Sequence, residues 1–372
     1  MVSAVGYAYP WDFDGDPAAV ERAAGLDAVA VAAAYHTTRA AGPLHPSRRL
    51  VDAAHAACYV AVRAERWAGR RLVPASPSWT PADSFGRARR VLRAAGLPVY
   101  AWTVLTHNSL LGRAHPDVCV RNAFGEAYPY ALCPAVPEVA DYCSTLVAEI
   151  LTLGEPDGIV LEACGALGVV HGGHHDKTDL AGWTPAEQQL LSLCFCSACA
   201  RLQIGAGLDP ARVSGLVRDA LRRRTGGTLD PELAGALRAV RTGIAHDLRT
   251  RLVGEIRATR PDARVVVHAT SDPWATGAFA TVAPSVDADV DVLVGSCWQA
   301  ATGERELAGL ADTGVPAIGG YIRPDVDLAT PAAELVSRYR TAGLTELHLY
   351  HLGLVSAAGL RRFAEYADAM RE

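Results

Sequence analysis

The 372-residue sequence contains no apolar run of about 18 residues, the length a membrane-crossing helix requires. That absence argues against a transmembrane segment. Its first residues, Met1-Val2-Ser3-Ala4-Val5-Gly6-Tyr7, lack the basic residues and long apolar stretch of a secretory leader. With an odd count of nine cysteines, the expectation is a reduced, cytoplasmic chain. Charge is also scarce: 20% of residues are charged and the net charge is −5, which gives no electrostatic reason to expect a nucleic-acid partner. No glycine-rich dinucleotide fingerprint follows any apolar segment, so a doubly wound sheet becomes the weaker α/β reading. What is present is an apolar sequence, 50% hydrophobic and rich in alanine, able to build a large core with many helices.

Apolar strand-like runs alternate with helical patterns, and their number decides between an open sheet and a closed barrel. The runs are Val5–Tyr9, Ala28–Ala34, Pro98–Leu105, Ile159–Glu162, Arg264–His268, Val290–Gly295, Val315–Gly320 and Glu346–Tyr350. Asp16 and Pro17 read as the N-cap and first position of a helix after the first run. Helices are expected over Thr80–Ala95, Pro137–Leu153, Pro210–Arg224, Pro231–Thr259 and Ala357–Arg371. The stretch from His45 to Pro74 suits either a helix or a hairpin. Eight strand–helix units in residues 1–372 predict one α/β domain, a (β/α)8 TIM barrel with long loops after strands three and four. The second of these loops is an insertion over 163–208. An open sheet is the alternative.

The most informative stretch runs from Pro156 to Cys199. Asp157-Gly158 signals a turn, and Ile159-Val160-Leu161 is a short β-branched apolar run of the kind a doubly covered strand uses. Glu162 then stands at the carboxyl end of a central strand, the edge where α/β proteins build their sites. Its bland reading is an ion pair with a nearby arginine or a cap. Beyond it, Cys194, Cys196 and Cys199 form C-x-C-x-x-C, which brings three thiolates to one ion. Cys133, in an Ala-Leu-Cys-Pro turn, is the expected fourth ligand of a structural Zn²⁺, with Cys119 or a histidine of 171–175 as alternatives. Buried thiols acting as small hydrophobes are the competing reading.

If the barrel closes, every strand end points to one rim. Trp11, Tyr35, His36, Trp102, His107, Asn108, Trp274, Trp298, Tyr321, Arg323, Tyr350 and His351 would line it around Glu162. Aromatic faces stack on sugar rings while His, Asn and Arg bond hydroxyls, so the ligand expected is a carbohydrate-like small molecule. Self-association is left open. His171 and His174 belong to a polar loop that would contact substrate; alternatively His174, His175 or Asp176 joins Glu162 around a divalent ion. Glu162 is expected to be a general acid with its pKa raised by an apolar pocket. The second carboxylate is expected in Asp272, then Asp12, with Asp14 and Asp325 behind.

The order Cys133-Pro134, helix, strand ending in Glu162, then Cys194, Cys196 and Cys199 resembles the zinc-bearing catalytic barrel of family 42 β-galactosidases over roughly Trp102–Cys199. The chain also looks like alanine-rich actinobacterial proteins with glycosidase-like barrels. The resemblance implies a structural zinc on the four cysteines and Glu162 as general acid/base. It departs where the family has an Asn-Glu pair, here Leu161-Glu162, and where a glutamate nucleophile is expected on strand seven, here Gly320-Tyr321-Ile322-Arg323. The functional expectation is a glycoside-hydrolase-like enzyme acting on a glycoside or another polyhydroxylated small molecule. A catalytically inactive sugar-binding barrel and a metal-dependent sugar isomerase or epimerase, using Glu162, His268 and Asp272, are the alternatives.

Overall fold

A computed structural model of the protein describes residues 3–170, 177–223, 228–287 and 290–372. Eight parallel strands form a closed ring: β1 (Ala4–Ala8), β2 (Ala28–Tyr35), β3 (Val99–Val104), β4 (Gly158–Glu162), β5 (Arg264–Thr270), β6 (Val292–Ser296), β7 (Ala317–Ile322) and β8 (Glu346–Leu349). Ring closure is explicit, because β1 pairs with both β8 and β2. The eight apolar runs seen in the sequence are these strands, shifted by one or two residues at some ends. Each is almost wholly buried, as the Ala28–Tyr35 run AVAVAAAY illustrates, since one face packs inside the barrel and the other under helices.

The outer layer consists of α1 (Ser84–Ala94), α2 (Pro137–Gly154), α3 (Pro231–Thr259), α4 (Ala300–Ala311), α5 (Ala332–Thr341) and α6 (Ala357–Arg371). Two units depart from the eight strand–helix pairs expected. Between β1 and β2 the Asp16 carboxylate does accept from the Ala18 N–H, but it starts only a 3-10 turn, Pro17–Ala19, followed by a second, Glu21–Ala23. Left-handed Gly15 and Gly25 bracket this stretch and leave it too short for a stable α-helix. Between β5 and β6 no α-helix occurs among the described residues; instead the buried Arg249 of α3 pairs with Asp287 at 2.8 Å and donates to the carbonyls of Thr281 and Ser285. That guanidinium satisfies backbone acceptors a helix would have bonded internally.

The loops on the carboxyl-terminal side are long. After β2 comes the antiparallel hairpin Thr38–Ala41 with Leu50–Ala53, and Ala57–Cys58 then pairs with the end of β2. The 45–74 stretch thus takes the hairpin form, with only a short helical turn at Ala64–Trp67. After β3 a second hairpin joins Cys119–Arg121 to Ala127–Leu132. The segment after β4 carries helices Pro185–Leu191, Ser197–Gly205 and Pro210–Arg223; Leu190 and Leu193, with Val213, Val217 and Ala220 of the last helix, build a small core against Leu237 of α3.

The barrel interior is unusual in its chemistry. Such barrels are mostly filled by branched aliphatic side chains, but here the axis carries Arg264, Glu346, Tyr7, His348, His268, Trp102 and Glu162, several of them fully buried. Small residues make the room. A Cβ on Gly319 would lie 2.7 Å from the His348 ring, and one on Gly158 would lie 2.8 Å from Tyr100 and 3.1 Å from the Arg264 side chain.

Candidate functional site

Glu162 is the last residue of β4 and projects into the carboxyl-terminal mouth of the barrel, with its side chain 8% exposed. The Trp102 indole Nε1–H donates to Glu162 Oε2 at 2.6 Å. His268 Nδ1 lies 3.3 Å from the same oxygen, at ion-pair distance but without hydrogen-bond alignment. Burial works to raise the pKa of Glu162, yet His268, His36 and the Trp102 donor together hold it below the ordinary glutamate value. Glu162 is therefore a carboxylate in the resting site, not the protonated acid expected from an apolar pocket. The reason is that the pocket wall is imidazole and indole N–H rather than hydrocarbon.

Behind Glu162 a line of polar contacts follows the barrel axis. Tyr7 Oη is 2.9 Å from His268 Nε2 and 2.9 Å from His348 Nδ1. His348 Nε2 is 2.9 Å from Glu346 Oε1, and Arg264 donates to Glu346 Oε2 at 2.7 Å. Burial drives His348 toward its neutral form, while the hydrogen bond from His348, and then Arg264, outweigh burial and keep Glu346 ionised. The sequence reading missed Tyr7, His348, Glu346 and Arg264, and considered His268 only for an isomerase. A signal was available: Glu346 and His348 alternate along β8, and Tyr350 keeps the same spacing just past its end. In a strand covered on both sides, alternate polar residues have nowhere to point but the barrel interior.

The other carboxylates separate clearly. Asp12 is buried; its Oδ2 accepts from the Tyr9 N–H at 2.8 Å and lies 3.9 Å from His351 Nδ1. Burial, only partly offset by that N–H and by Arg22, pushes its pKa up to about 7. Asp272, ranked first from the sequence, is exposed and accepts from the Trp274 N–H at 2.9 Å in a turn, with no bond or ion pair to Glu162. Asp14 pairs with Arg48 at 2.5 Å, and Asp325 pairs with Arg323. Both are tied up at the surface.

The aromatic residues divide into a buried layer and a rim. Trp11 and Trp102 are 2% and 0% exposed, so neither offers an open stacking face. Trp11 stacks on Tyr9, whose ring in turn packs on His351. Toward solvent, Tyr35, His36 and His107 stack in series at 4.2 and 4.3 Å. Trp298, 42% exposed, packs on Tyr321 and Tyr350 with the Arg323 guanidinium 5.2 Å over its ring. Trp102 contacts both Tyr350 and His351, so these residues share one end of the barrel. Two expected contacts serve the fold instead. Asn108 caps helix Ser109–Ala114 by accepting from Leu111 N–H, and Trp274 packs on the small core of the insertion. His171 and His174, with His175 and Asp176, lie outside the described residues.

Cys133, Cys194, Cys196 and Cys199 converge so that their sulfurs all lie within 4.8 Å of one another, an arrangement able to hold a metal ion. Among the described residues no other such group of histidine, cysteine and carboxylate ligands occurs, so Glu162, His268 and Asp272 do not form a metal centre. Cys119, the alternative fourth ligand, instead points its thiol at the Gly112 carbonyl. Backbone N–H groups of Arg121 and Cys196 face the Cys194 sulfur at 3.4 Å, and that of Cys199 faces Cys196 at 3.5 Å. Such donors favour thiolates. The group joins the post-β3 hairpin to the post-β4 insertion.

No family model and no curated protein matches the sequence. Its fold is that of known glycoside-hydrolase barrels. The glycoside hydrolase domain of PgaB (BpsB) from Bordetella bronchiseptica aligns at TM-score 0.61 and 15% identity, over 100% of this chain and 98% of that one. Alpha-L-fucosidase isoenzyme 2 from Paenibacillus thiaminolyticus aligns at TM-score 0.58 and 12% identity, over 100% of this chain and 49% of its own. Gan42B, a GH42 beta-galactosidase from G. stearothermophilus, aligns at 0.55 and 10% identity, over 99% and 56%. The present chain thus spans about half the length of the latter two, and the likeness is one of fold. Among the described residues no helix is long and apolar enough to cross a membrane.

Proposed function

We propose that the protein is a glycoside-hydrolase-like enzyme acting on a glycoside or another polyhydroxylated small molecule, with Glu162 as its central acid/base carboxylate. The observation that carries this reading is a buried, ionised glutamate at the end of β4, held by Trp102 and His268 beneath a rim of stacked aromatic and imidazole rings. Asp12 is the partner best suited to the second role. Its pKa of about 7 lets it give or take a proton near neutrality, so it can act as acid or base opposite Glu162. Asp272 is exposed, and its carboxylate is taken up in a turn by the Trp274 N–H. His36, His107, Trp298, Arg323 and Tyr350 would meet the sugar, with the buried Tyr35 and Tyr321 packed behind them.

Zinc is the metal proposed for the four cysteines. Tetrahedral Zn–S bonds of about 2.3 Å place sulfurs about 3.8 Å apart, and Cys133 lies 3.8, 3.7 and 3.5 Å from Cys194, Cys196 and Cys199. With four protein ligands the ion would be structural, fastening the loops after β3 and β4 into one domain with the barrel.

One observation favours the silent sugar-binding alternative: β7, Ala317–Ile322, carries the sequence AIGGYI and no carboxylate. A panel of chromogenic aryl glycosides and reducing-end assays on oligosaccharides, run beside ligand-detected NMR binding, separates the two. Hydrolysis by wild type that is lost in Glu162→Gln supports the enzyme. Saturable sugar binding without turnover supports the binding protein.

A further inference from the structure

The axial line has a proton count that fixes more than packing. It offers three hydrogen-bonded gaps, Glu346 to His348, His348 to Tyr7 and Tyr7 to His268, and a fourth at ion-pair distance, His268 Nδ1 to Glu162 Oε2 at 3.3 Å. Each gap needs one proton. Two ionised carboxylates, two neutral histidines and one tyrosine bring only three. The polarity is set from the far end. Arg264 keeps Glu346 an acceptor, so His348 donates from Nε2 and accepts Tyr7 O–H at Nδ1; Tyr7 Oη then accepts from His268 Nε2–H. A neutral His268 would turn a bare Nδ1 lone pair toward the Glu162 carboxylate. That nitrogen is fully buried and has no hydrogen-bond partner. A fourth proton there repairs the contact, and with Arg264 it also neutralises the two buried carboxylates.

We propose that the Arg264–Glu346–His348–Tyr7 line holds His268 as an imidazolium whose Nδ1–H is the proton reserve of Glu162. This deepens the acid/base reading of Glu162 and rests on it. In the transfer, the His268 Nδ1–H bond breaks and a Glu162 Oε2–H bond forms. His268 passes from cation to neutral, Glu162 from anion to acid, and the net charge of the line is unchanged. The other three gaps keep their protons. Glu162 is thereby a carboxylate at rest and an acid on demand, and Tyr7 and His268 are positioning residues. The groups packed around the line do not compete for the proton: burial keeps His36 neutral beside Glu162, and raises the hydroxyls of Tyr321 beside His268 and Tyr100 beside Arg264.

The test needs no substrate. Long-range proton–nitrogen NMR of protein carrying ¹⁵N-histidine reads which ring nitrogens are protonated, with His268→Gln and His348→Gln identifying the two signals. At pH 7 His268 is expected doubly protonated and His348 neutral with its proton on Nε2. In Tyr7→Phe, which keeps the ring but removes the hydroxyl, His268 is expected to lose one proton and become the neutral Nδ1–H form. A singly protonated wild-type His268, or an unchanged pattern in Tyr7→Phe, overturns the proposal; were Tyr7→Phe not to fold, the wild-type spectrum alone decides. Because the spectra are recorded without turnover, their outcome is separate from whether Glu162→Gln abolishes glycoside hydrolysis.

Discussion

Removing the metal from the four-cysteine group should loosen the junction between the two long loops before it touches the barrel. Cys133 leads out of the post-β3 hairpin, and Cys194, Cys196 and Cys199 open helix Ser197–Gly205, so one ion would cross-link segments 61 to 66 residues apart in sequence. An ion held about a thousandfold above its dissociation constant stabilises the folded state by about 4 kcal/mol. For a chain of 372 residues, an unfolding entropy of ~2.1 cal/mol/K per residue gives about 0.8 kcal/mol/K, hence a fall in Tm of about 5 °C on chelation. Calorimetry with and without a strong chelator, beside metal analysis of the purified protein, measures both sides. Near-stoichiometric zinc and a Tm that chelation lowers in wild type but not in Cys196→Ser are expected. Protein purified without metal, or a Tm indifferent to chelator and zinc, would refute the reasoning.

Three further outcomes follow from the barrel interior. Asp12 has its folded pKa raised from 3.8 to about 7, so the folded state binds the extra proton and this group's contribution to stability is complete below pH 4 and lost as pH rises through 7. Asp12→Asn should accordingly be more favourable at pH 8 than at pH 4, by up to about 4 kcal/mol at ~1.4 kcal/mol per pH unit, in urea titrations at the two pH values; equal effects at both would contradict it. Glu162 and Glu346 shift the opposite way, below their ordinary 4.5, so their contribution is present above that value and lost as pH falls through their lower folded pKa values. Acid unfolding should therefore begin below about pH 4.5 and be blunted in Glu346→Gln. Gly319→Ala puts a methyl 2.7 Å from His348; a loss of about 1–3 kcal/mol is expected, and a neutral substitution would mean the axial line yields more easily than its packing implies.

The fold was legible because a parallel barrel writes itself as eight apolar runs, and β-branched segments such as Ile159-Val160-Leu161 have few alternatives. Helices were less legible where length was marginal: Asp16-Pro17 is a sound helix start, but Gly25 follows before the helix can extend. The four cysteines were readable from local spacing plus a single turn, and the structure gathers them. Glu162 was readable because a strand end is a position in sequence. The charge state of Glu162 was not, since it depends on His268 and Trp102, which come from β5 and β3 and meet only in the closed ring. Asp272 misled for a related reason. Its place after a strand end is correct, but Ser-Asp-Pro-Trp folds into a turn that spends the carboxylate on Trp274 N–H and leaves it in solvent.

The central claim is that the ionised, buried carboxylate of Glu162 performs the chemistry. Steady-state kinetics of Glu162→Gln on a glycoside turned over by wild type tests it directly, with thermal unfolding of both proteins as control. The substitution keeps shape and the Trp102 bond while removing the charge. Turnover is predicted to fall by a factor of about 10²–10⁴ with KM little changed and the fold intact. Full activity in a folded Glu162→Gln protein would contradict the account.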